Sequence, residues 1–371
     1  MQTNDGHLAR FVAPHNSTIP AWAPGLSFSL PQALRDLLAS GAGRNEIQPR
    51  AAAAAAQLRE MAMYTSAMPA SSRLPFSYRT IPGPVRRVVA NAIGRLQRHR
   101  QDHWARYPGW PLDLSADFAA DLGDLPRALP SGRTPVILTH DLDSAEGLEN
   151  LVERFLPIEE RAGARSANFV VPCNWPLDYA LLDKTHGRGH EIGIHGYDHS
   201  NRTPFLAPID RRTRLDAAKP LIARYGIAGY RAPSLVRTEA LLTDLGGLYR
   251  YDSSVPTSGG LFPVPNNGCA SARPFRLHGL WEIPLSMPRD GSMQFLGHTP
   301  AQILAIWREC MLTIARSGGV VVLLTHCEES FSGNEPMLQS YDALLNEISS
   351  DPHFEFVTFS KMLTRLDATS N

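Results

Sequence analysis

The sequence predicts an α/β protein, in which parallel strands and helices alternate in a barrel that follows a mainly helical N-terminal extension. Beyond about residue 110, apolar runs of strand length alternate with stretches whose apolar residues recur at helical spacing. Three of these runs, PVILTHDLD, GHEIGIHGYDH and GGVVVLLTH, end in Asp or His. A barrel brings the ends of strands that are distant in sequence to one rim, which favours it over the alternative, an open doubly wound sheet.

Two regions are predicted, an N-terminal extension over residues 1–110 and a catalytic barrel over residues 111–371. The extension is rich in proline, and its alanine run at 51–56 has high helix propensity. A second helix is predicted over VRRVVANAIGRLQRHR, where valine, isoleucine and leucine recur at helical spacing between arginines. A basic amphipathic helix of this kind either packs on the catalytic domain or contacts a membrane surface or a glycolipid head group.

The barrel region is predicted to contain seven or eight β/α repeats in about 260 residues, which is the size of a barrel domain. The predicted strands cover residues 135–139, 167–172, 191–195, 229–231, 249–253, 280–284, 318–326 and 354–359. The predicted helices include residues 148–155, 177–182, 215–225, 302–315 and 338–348. Gly226 follows the third of these helices and is a suitable residue to end it.

Composition limits the classes of partner. Lys and Arg equal Asp and Glu at 36 each, so the net charge of +0 gives no electrostatic reason to expect nucleic acid or an anionic membrane as a partner. The four cysteines are scattered without a paired motif, which suits a reducing compartment. Because neither an export signal nor a segment of transmembrane length is evident, we expect a soluble cytoplasmic protein.

Five side chains at the predicted strand ends have the chemistry of a metal-dependent hydrolase. Asp141 and Asp143 are two residues apart, and they share a face if the strand continues that far. His195 and His199 are four apart, and on a helical turn both rings would lie on one side. Two imidazoles and one carboxylate suit zinc, cobalt, iron or nickel better than magnesium or calcium. His326 then remains as a candidate acid or base.

Other interpretations of these residues stay open at this point. Asp141 or Asp143 alone would suit the cap of a helix that begins near Ser144. Cys327 adjoins His326 and is a candidate thiol nucleophile. A DxD sequence after a strand also occurs in metal-dependent glycosyltransferases, although this interpretation does not explain the paired histidines. A glycan-binding barrel without activity is the non-enzymatic alternative.

Four segments, THDLD, HGYDH, YRAPSL and LLTH, resemble in this order the signature motifs of the polysaccharide deacetylases, the NodB-homology group of carbohydrate esterases. The resemblance extends over residues 134–366 and leaves the first hundred residues unmatched. It implies a distorted (β/α)7 barrel that uses one divalent metal ion, zinc first among the candidates, to remove acetyl groups from N-acetylated sugars. Relatives of this group hydrolyse other non-peptide amides, such as formyl or cyclic amides, and that alternative stays open.

The resemblance also implies a role for each matched residue. The implied roles are catalytic base for Asp141, metal ligands for Asp143, His195 and His199, orientation of the base for Arg231, general acid for His326, and backbone N–H donor to the oxyanion for Ser234. Leu142 separates two acidic residues that are adjacent in many relatives, and Ser234 stands where an aromatic residue is usual. Either Asp252 or Asp290 is expected to support His326, and the sequence does not distinguish them.

The expected substrate is a soluble precursor, a nucleotide-linked or lipid-linked N-acetylated amino sugar that is modified inside the cell. This expectation rests on the unpaired cysteines, the absence of an evident export signal and the neutral overall charge. The sequence makes no prediction of the oligomeric state.

Overall fold

A computed structural model describes residues 30–61, 64–65, 68–74, 81–100, 110, 112–129, 132–258 and 268–369. These residues form an α/β structure, as predicted, with nine strands in one sheet. The region boundary predicted at residue 110 adjoins residues outside the described ranges, and the division into 1–110 and 111–371 stays a prediction.

The sheet consists of parallel strands with one antiparallel exception at its edge. In chain order the strands are β1 (Thr134–Leu142), β2 (Ser166–Val170), β3 (Glu191–Ile194), β4 (Gly229–Tyr230), β5 (Tyr251–Asp252), β6 (Phe275–Leu277), β7 (Leu280–Glu282), β8 (Val321–His326) and β9 (Phe354–Phe356). Their order across the sheet is β6-β7-β5-β4-β3-β2-β1-β8, and β9 pairs with the start of β1. Only β6 runs antiparallel to its neighbour, β7.

The sheet curls into a distorted barrel, and the predicted fold class is confirmed. No ladder joins β7 to β8 among the described residues. Instead, the chain just beyond β7 is joined to β8 by Ser286 and Met287: the Ser286 hydroxyl donates to Val320 O at 2.6 Å and accepts from Val322 N–H at 2.9 Å. The Met287 N–H donates to Val322 O at 3.2 Å. The distortion therefore lies where a side chain replaces part of a strand ladder.

Of the described helices, four come before the first strand in the chain and the others follow the strands. They are α1 (Gln32–Ser40), α2 (Arg44–Met61), α3 (Gly83–Arg100), α4 (Ser115–Leu122), α5 (Ala145–Asn150), α6 (Leu156–Arg161), α7 (Tyr179–Gly187), α8 (Pro208–Asp216), α9 (Lys219–Tyr225), α10 (Glu239–Leu245), α11 (Asp290–Phe295), α12 (Pro300–Ser317), α13 (Glu335–Ser350) and α14 (Phe359–Thr369). None of these helices is long and apolar enough to cross a membrane.

The helix before β4 and the strand before β7 differ from the sequence prediction. The helix predicted over residues 215–225 is part of two helices, α8 and α9, with Pro220 in the first turn of the second, where its missing N–H costs no helical bond. Gly226 ends α9 with φ 62°, as predicted. Strand β6 was not predicted, and it joins β7 through His278 and Gly279, both with positive φ.

Helices α2 and α4, which precede the barrel, pack against each other through small residues. Helix α2 buries Ala51, Ala54 and Ala55, and a side chain added at Gly123, just after α4, would collide with Ala52. The fully buried Asp117 of α4 accepts hydrogen bonds from the Ser271 hydroxyl at 2.5 Å and the Ala272 N–H at 2.9 Å. The alanine run of α2 therefore packs closely against the end of α4. Hydrogen bonds join α4 to the loop that leads into β6.

Strand β1 is the longest of the nine strands, and its carboxyl end carries two of the predicted site residues. It extends to Leu142, three residues beyond the prediction, and every residue from Pro135 to Leu142 is buried. Its neighbours are β2 on one side and β8 on the other. Because Asp141 lies inside the strand and Asp143 just after it, both carboxylates are delivered to the rim.

Candidate active site

Strands β1, β3, β4 and β8 bring most of the predicted site residues to one rim of the sheet. Asp141 is the in-register neighbour of His326 across the β1–β8 ladder. Asp143 follows β1, and His195 follows β3. Arg231 follows β4 and is fully buried. Because all these strands are parallel, their carboxyl ends meet at the same edge.

Asp143, His195 and His199 form a cluster that could hold a metal ion. One ligand atom from each residue lies within 4.8 Å of the others. The Asp143 Oδ1 is 3.7 Å from His195 Nε2 and 3.2 Å from His199 Nε2. Both imidazoles are buried, and the Asp143 side chain is 17% exposed. Two imidazole nitrogens and one carboxylate oxygen that converge in this way fit a divalent transition metal.

The orientation of His195 favours a ligand role for its Nε2. Its Nδ1 lies 3.0 Å from the carbonyl oxygen of Arg231, which can only accept a hydrogen bond. The proton therefore sits on Nδ1, and the lone pair of Nε2 points into the cluster. Metal-binding histidines are commonly oriented by this kind of contact.

The two histidines do not share a helical turn, so that part of the sequence-based argument is wrong. Residues 195–200 form a bent loop after β3, with positive φ at Gly196 (69°) and His199 (56°). A side chain at Gly196 would collide with Pro233. The loop folds sharply against the segment after β4, and this fold brings the imidazole rings to 5.1 Å between centroids.

Asp141 lies beside the cluster and is held by Arg231. The Arg231 Nη1 donates to Asp141 Oδ1 at 3.1 Å and to the Thr139 hydroxyl at 2.8 Å. The other end of the guanidinium donates to the carbonyl and the hydroxyl of Ser253, each at 3.1 Å. The guanidinium carbon of Arg231 lies 4.2 Å from the centre of the Phe169 ring. The second oxygen of Asp141 is 3.6 Å from His195 Nε2, so this carboxylate faces the cluster.

His326 and Asp290 form the opposite side of the site. The Asp290 carboxylate lies 2.8 Å from His326 Nδ1, and it also accepts the His326 N–H at 2.8 Å and the Ser332 hydroxyl at 2.7 Å. Burial lowers the pKa of His326, but the charge and hydrogen bond of Asp290, together with the charges of Asp143 and Asp141, raise the pKa to about 10. Burial raises the pKa of Asp290, and the paired imidazolium reverses this and lowers it. His326 is therefore held as an imidazolium with Nε2–H available.

The choice between Asp252 and Asp290, which the sequence left open, is decided by these contacts. Asp252 is fully buried on β5 and accepts the Ser254 hydroxyl at 2.7 Å and the Ser254 N–H at 3.0 Å. It lies in register with the buried Glu282 of β7. Asp252 thus belongs to a separate buried group, and Asp290 contacts His326.

Glu328 is a site residue that the sequence did not indicate. Its Oε1 accepts the Ser144 hydroxyl at 2.7 Å and the Asp143 N–H at 3.2 Å. The side chain packs so closely on Gly147 that a Cβ there would collide with the carboxylate. Burial first, and then the charge of Asp143, raise the pKa of Glu328 to about 7. Its position two residues after His326 is the only local signal that could have suggested it.

Ser234 lies in a strained turn beside the histidine loop. Ser234 and Leu235 both have positive φ, 52° and 57°, which is costly for residues with a side chain. The Ser234 hydroxyl accepts a hydrogen bond from Asn201 Nδ2 at 3.1 Å. The turn therefore meets the loop that carries His199, and the role of the Ser234 N–H stays a prediction.

Two alternative interpretations are contradicted. Ser144 itself caps α5 by accepting the Gly147 N–H at 3.1 Å, so neither Asp141 nor Asp143 is the cap. Cys327 is fully buried, and burial raises the pKa of its thiol well above the usual value. A thiol in that environment is neither accessible nor ionised, which excludes it as the nucleophile.

Comparison with solved structures supports the fold. A protein of Mycobacterium smegmatis assigned as a polysaccharide deacetylase has a TM-score of 0.52 and 21% identity, with 65% of this chain and 93% of that chain covered. A chitin deacetylase from Colletotrichum lindemuthianum has a TM-score of 0.39, 17% identity and coverage of 64% and 92%. A family 4 acetyl xylan esterase from Clostridium thermocellum has a TM-score of 0.40, 18% identity and coverage of 62% and 90%.

No family model matches the sequence, and no curated protein does either. The fold assignment therefore rests on the Mycobacterium smegmatis structure, whose TM-score is the one above 0.5 among the three. This chain has the polysaccharide deacetylase fold, as the four sequence motifs indicate.

Proposed function

We propose that this protein is a metal-dependent hydrolase that removes the N-acetyl group from an N-acetylated sugar. The observation that carries the proposal is the grouping of three metal-ligand side chains on one rim with an Arg-bound carboxylate and an Asp-bound imidazole. Amide hydrolysis needs an activated water, a base and an acid for the departing amine, and this rim supplies a residue for each need.

Asp143, His195 and His199 would hold the divalent ion, with zinc as the first candidate and cobalt, iron or nickel as the others. When bound, such an ion acidifies a water molecule and polarises a carbonyl oxygen. The proton transfers are carried out by side chains of the protein.

Asp141 acts as the base that accepts a proton from the attacking water. Arg231 holds one of its oxygens at 3.1 Å, so the other oxygen, 3.6 Å from His195, stays directed at the reaction centre. His326 acts as the acid, because the Asp290 carboxylate keeps its imidazole protonated and leaves Nε2–H free to protonate the leaving nitrogen. The Ser234 N–H is proposed as a donor to the developing oxyanion.

The proposed substrate is an amino sugar carried on a nucleotide or a lipid and handled in the cytoplasm. The structurally similar Mycobacterium smegmatis protein is assigned to polysaccharides, which supports a carbohydrate substrate. All four cysteines are free, which fits a reducing compartment.

Free acetate measured after incubation with candidate N-acetylated sugars, with and without chelator, tests the reaction. We expect acetate release that stops with chelator and returns with a divalent ion. Release of formate from an N-formyl sugar, or opening of a cyclic amide, without acetate release would identify a different amide. Sugar transfer from a nucleotide donor without acetate would contradict the proposal.

Single variants separate the roles. His195→Ala and His199→Ala should lose bound metal while the fold is retained, as measured by elemental analysis and circular dichroism. Asp141→Asn and His326→Ala should keep the metal and lose roughly 10²–10⁴-fold in turnover, since each removes a proton-transfer group. Cys327→Ala is the matched control next to His326 and should retain activity.

Substrate and compartment have their own tests. Activity on a nucleotide-linked or lipid-linked N-acetylated sugar is compared with activity on a long N-acetylated polymer, and the protein is located by cell fractionation. Activity on the polymer alone, or recovery outside the cytoplasm, would contradict the substrate and compartment while the metal site stands.

A further inference from the structure

Helix α3 exposes an apolar face to solvent. Five large aliphatic side chains on this helix are between 41% and 69% exposed, and they are Val85, Val88, Val89, Ile93 and Leu96. Their spacing of three and four residues places them along one stripe of the helix. The other large apolar residues exposed in the described ranges, Tyr179, Ile209 and Leu312, lie on three different helices. Single exposed apolar residues are ordinary, but a continuous stripe indicates a binding surface.

Among the α3 residues whose side chains the structure describes, the most buried ones are small. Gly94 is buried, and a Cβ at that position would collide with the carbonyl of Phe295 in α11. Ala90, one turn earlier, is partly buried. A helix that packs on its own domain normally turns its large apolar residues inward. Here the described α3 residues that are at least partly buried are a glycine and an alanine, and the large aliphatic residues are the exposed ones.

The charge of α3 indicates the kind of partner. Its sequence, GPVRRVVANAIGRLQRHR, contains five arginines and no acidic residue, although the whole chain has a net charge of +0. Arg95, next to Leu96, is exposed. Two copies of this stripe placed face to face would bring ten arginines together without one carboxylate from either helix. Self-association through α3 is therefore disfavoured, and a partner with negative charge around an apolar layer is favoured.

We propose that α3 binds in the plane of an anionic lipid bilayer, with its aliphatic stripe in the acyl boundary and its arginines among the lipid phosphates. Basic helices with one apolar face bind interfaces in this way without crossing them. The helix does not cross a membrane, because its 18 residues include five arginines and are not apolar enough. A nucleic acid would satisfy the arginines but would leave the aliphatic stripe in water.

The position of α3 links this surface to the catalytic rim. Phe295 of α11, which contacts Gly94, lies 5.8 Å from Phe331 between ring centroids, and Phe331 lies 5.0 Å from His326. Binding of α3 to a bilayer would therefore hold the rim close to the lipid surface. A rim held at a lipid surface fits a lipid-linked sugar as the substrate, and this link rests on the proposed function. Lipid binding by α3 does not depend on that function.

Vesicle binding by the full-length protein tests the proposal. Sedimentation with vesicles of phosphatidylcholine and phosphatidylglycerol should recover the protein, and vesicles of phosphatidylcholine alone should recover much less. Binding should weaken as salt is added, because the arginine contribution is screened. Val88→Glu combined with Leu96→Glu should lower the partition coefficient by at least about tenfold, since two charges would enter the apolar layer.

The matched control is Ile209→Glu combined with Leu312→Glu, which places the same two charges at exposed apolar residues outside α3. It should bind as the wild type does, and thermal unfolding of both double variants checks that each is folded. Equal binding of the α3 variant and the wild type, or no binding to anionic vesicles, would overturn the proposal. A wild-type dimer in sedimentation velocity that the α3 variant converts to monomer would also overturn it, in favour of a second copy as the occupant. Acetate release from a water-soluble N-acetylated sugar is measured in parallel, so that failure of lipid binding and failure of the proposed function are told apart.

Discussion

At the scale of single residues, the site depends on which charged group lies next to each catalytic side chain. His326 has a carboxylate at 2.8 Å from Nδ1, and Asp141 has a guanidinium at 3.1 Å. Burial alone would favour the neutral imidazole, and Asp290 reverses that preference. Each of the two proton-transfer residues therefore lies against a partner of opposite charge.

Asp290→Asn should move the alkaline limb of kcat/KM to lower pH. The acid works in its protonated form, so activity falls as the pH rises through the pKa of His326, which Asp290 helps to raise to about 10. Without the negative charge of Asp290, burial lowers the pKa of His326, and the alkaline limb of kcat/KM moves to lower pH with it. A bound metal ion would lower the pKa in both proteins, so the variant is compared with the wild type. The loss at neutral pH should be smaller than the roughly 10²–10⁴-fold expected for removal of the acid itself.

A pH–rate profile of both proteins, with metal content measured alongside, checks this. An unchanged alkaline limb in the variant would show that His326 is not the group that titrates there.

Glu328→Ala should weaken metal binding, because the Asp143 N–H and the Ser144 hydroxyl lose their common acceptor. Residues that orient a ligand in this way typically contribute 10- to 100-fold in metal affinity. Glu328→Gln keeps an acceptor oxygen in the same place and should restore most of the affinity. Glu329→Ala, at the exposed neighbouring residue, is the control. Metal competition titrations compare the four proteins, and equal affinity in all of them would exclude a positioning role for Glu328.

At the scale of elements, the loop after β3 determines whether the two histidines meet. Its sharp bend needs a positive φ at Gly196 and also needs the space that Pro233 leaves there. A ligand pair four residues apart can thus converge without a helix, because the backbone reverses between the two residues. The same loop contacts the strained turn at Ser234 through Asn201.

Gly196→Ala should lower the free energy of unfolding and also abolish metal retention. Gly226→Ala is the control, since its φ is also positive, at 62°, but its added Cβ would meet open space. A left-handed backbone costs either alanine about 1–2 kcal/mol, and only Gly196→Ala adds a collision with Pro233. Urea denaturation and elemental analysis of both variants provide the measurement. Full metal content in folded Gly196→Ala would show that the bend does not set the ligand geometry.

At the scale of the whole molecule, the metal cluster joins two parts of the barrel. Asp143 belongs to the end of β1, whereas His195 and His199 belong to the loop after β3, two strands away in the sheet. An ion bound only by the folded state stabilises it by mass action, by about 2.7 kcal/mol at a concentration one hundred times the dissociation constant.

Removal of the metal should therefore lower the melting temperature of the wild type and abolish acetate release. Readdition of zinc, cobalt, iron or nickel should raise the melting temperature again, and the ion that best restores turnover identifies the preferred metal. His195→Ala is the control, and its melting temperature should not respond to these ions. Differential scanning calorimetry of the two proteins makes the comparison. A wild type whose melting temperature and activity are both indifferent to chelator would contradict the metal site.

The sequence by itself determined the fold class, the strands that carry the site and the identities of its polar residues. These properties depend on local patterns: period two or apolar runs in strands, helical spacing in helices, and polar residues where an apolar run stops. The structure confirms the fold class, and it places Asp141, Asp143, His195, His199, Arg231 and His326 on one rim.

Only the tertiary structure decided which distant groups are partners. Asp252 lies within a predicted strand and Asp290 follows another, and only packing shows that Asp290 reaches His326, 36 positions away. The contact of Glu328 with the Asp143 loop and the closure of the barrel by Ser286 likewise join segments far apart in the chain. The amphipathic pattern of α3 did not reveal which of its faces meets the protein. That choice depends on how closely its backbone approaches α11, and the absence of a side chain at Gly94 permits this approach.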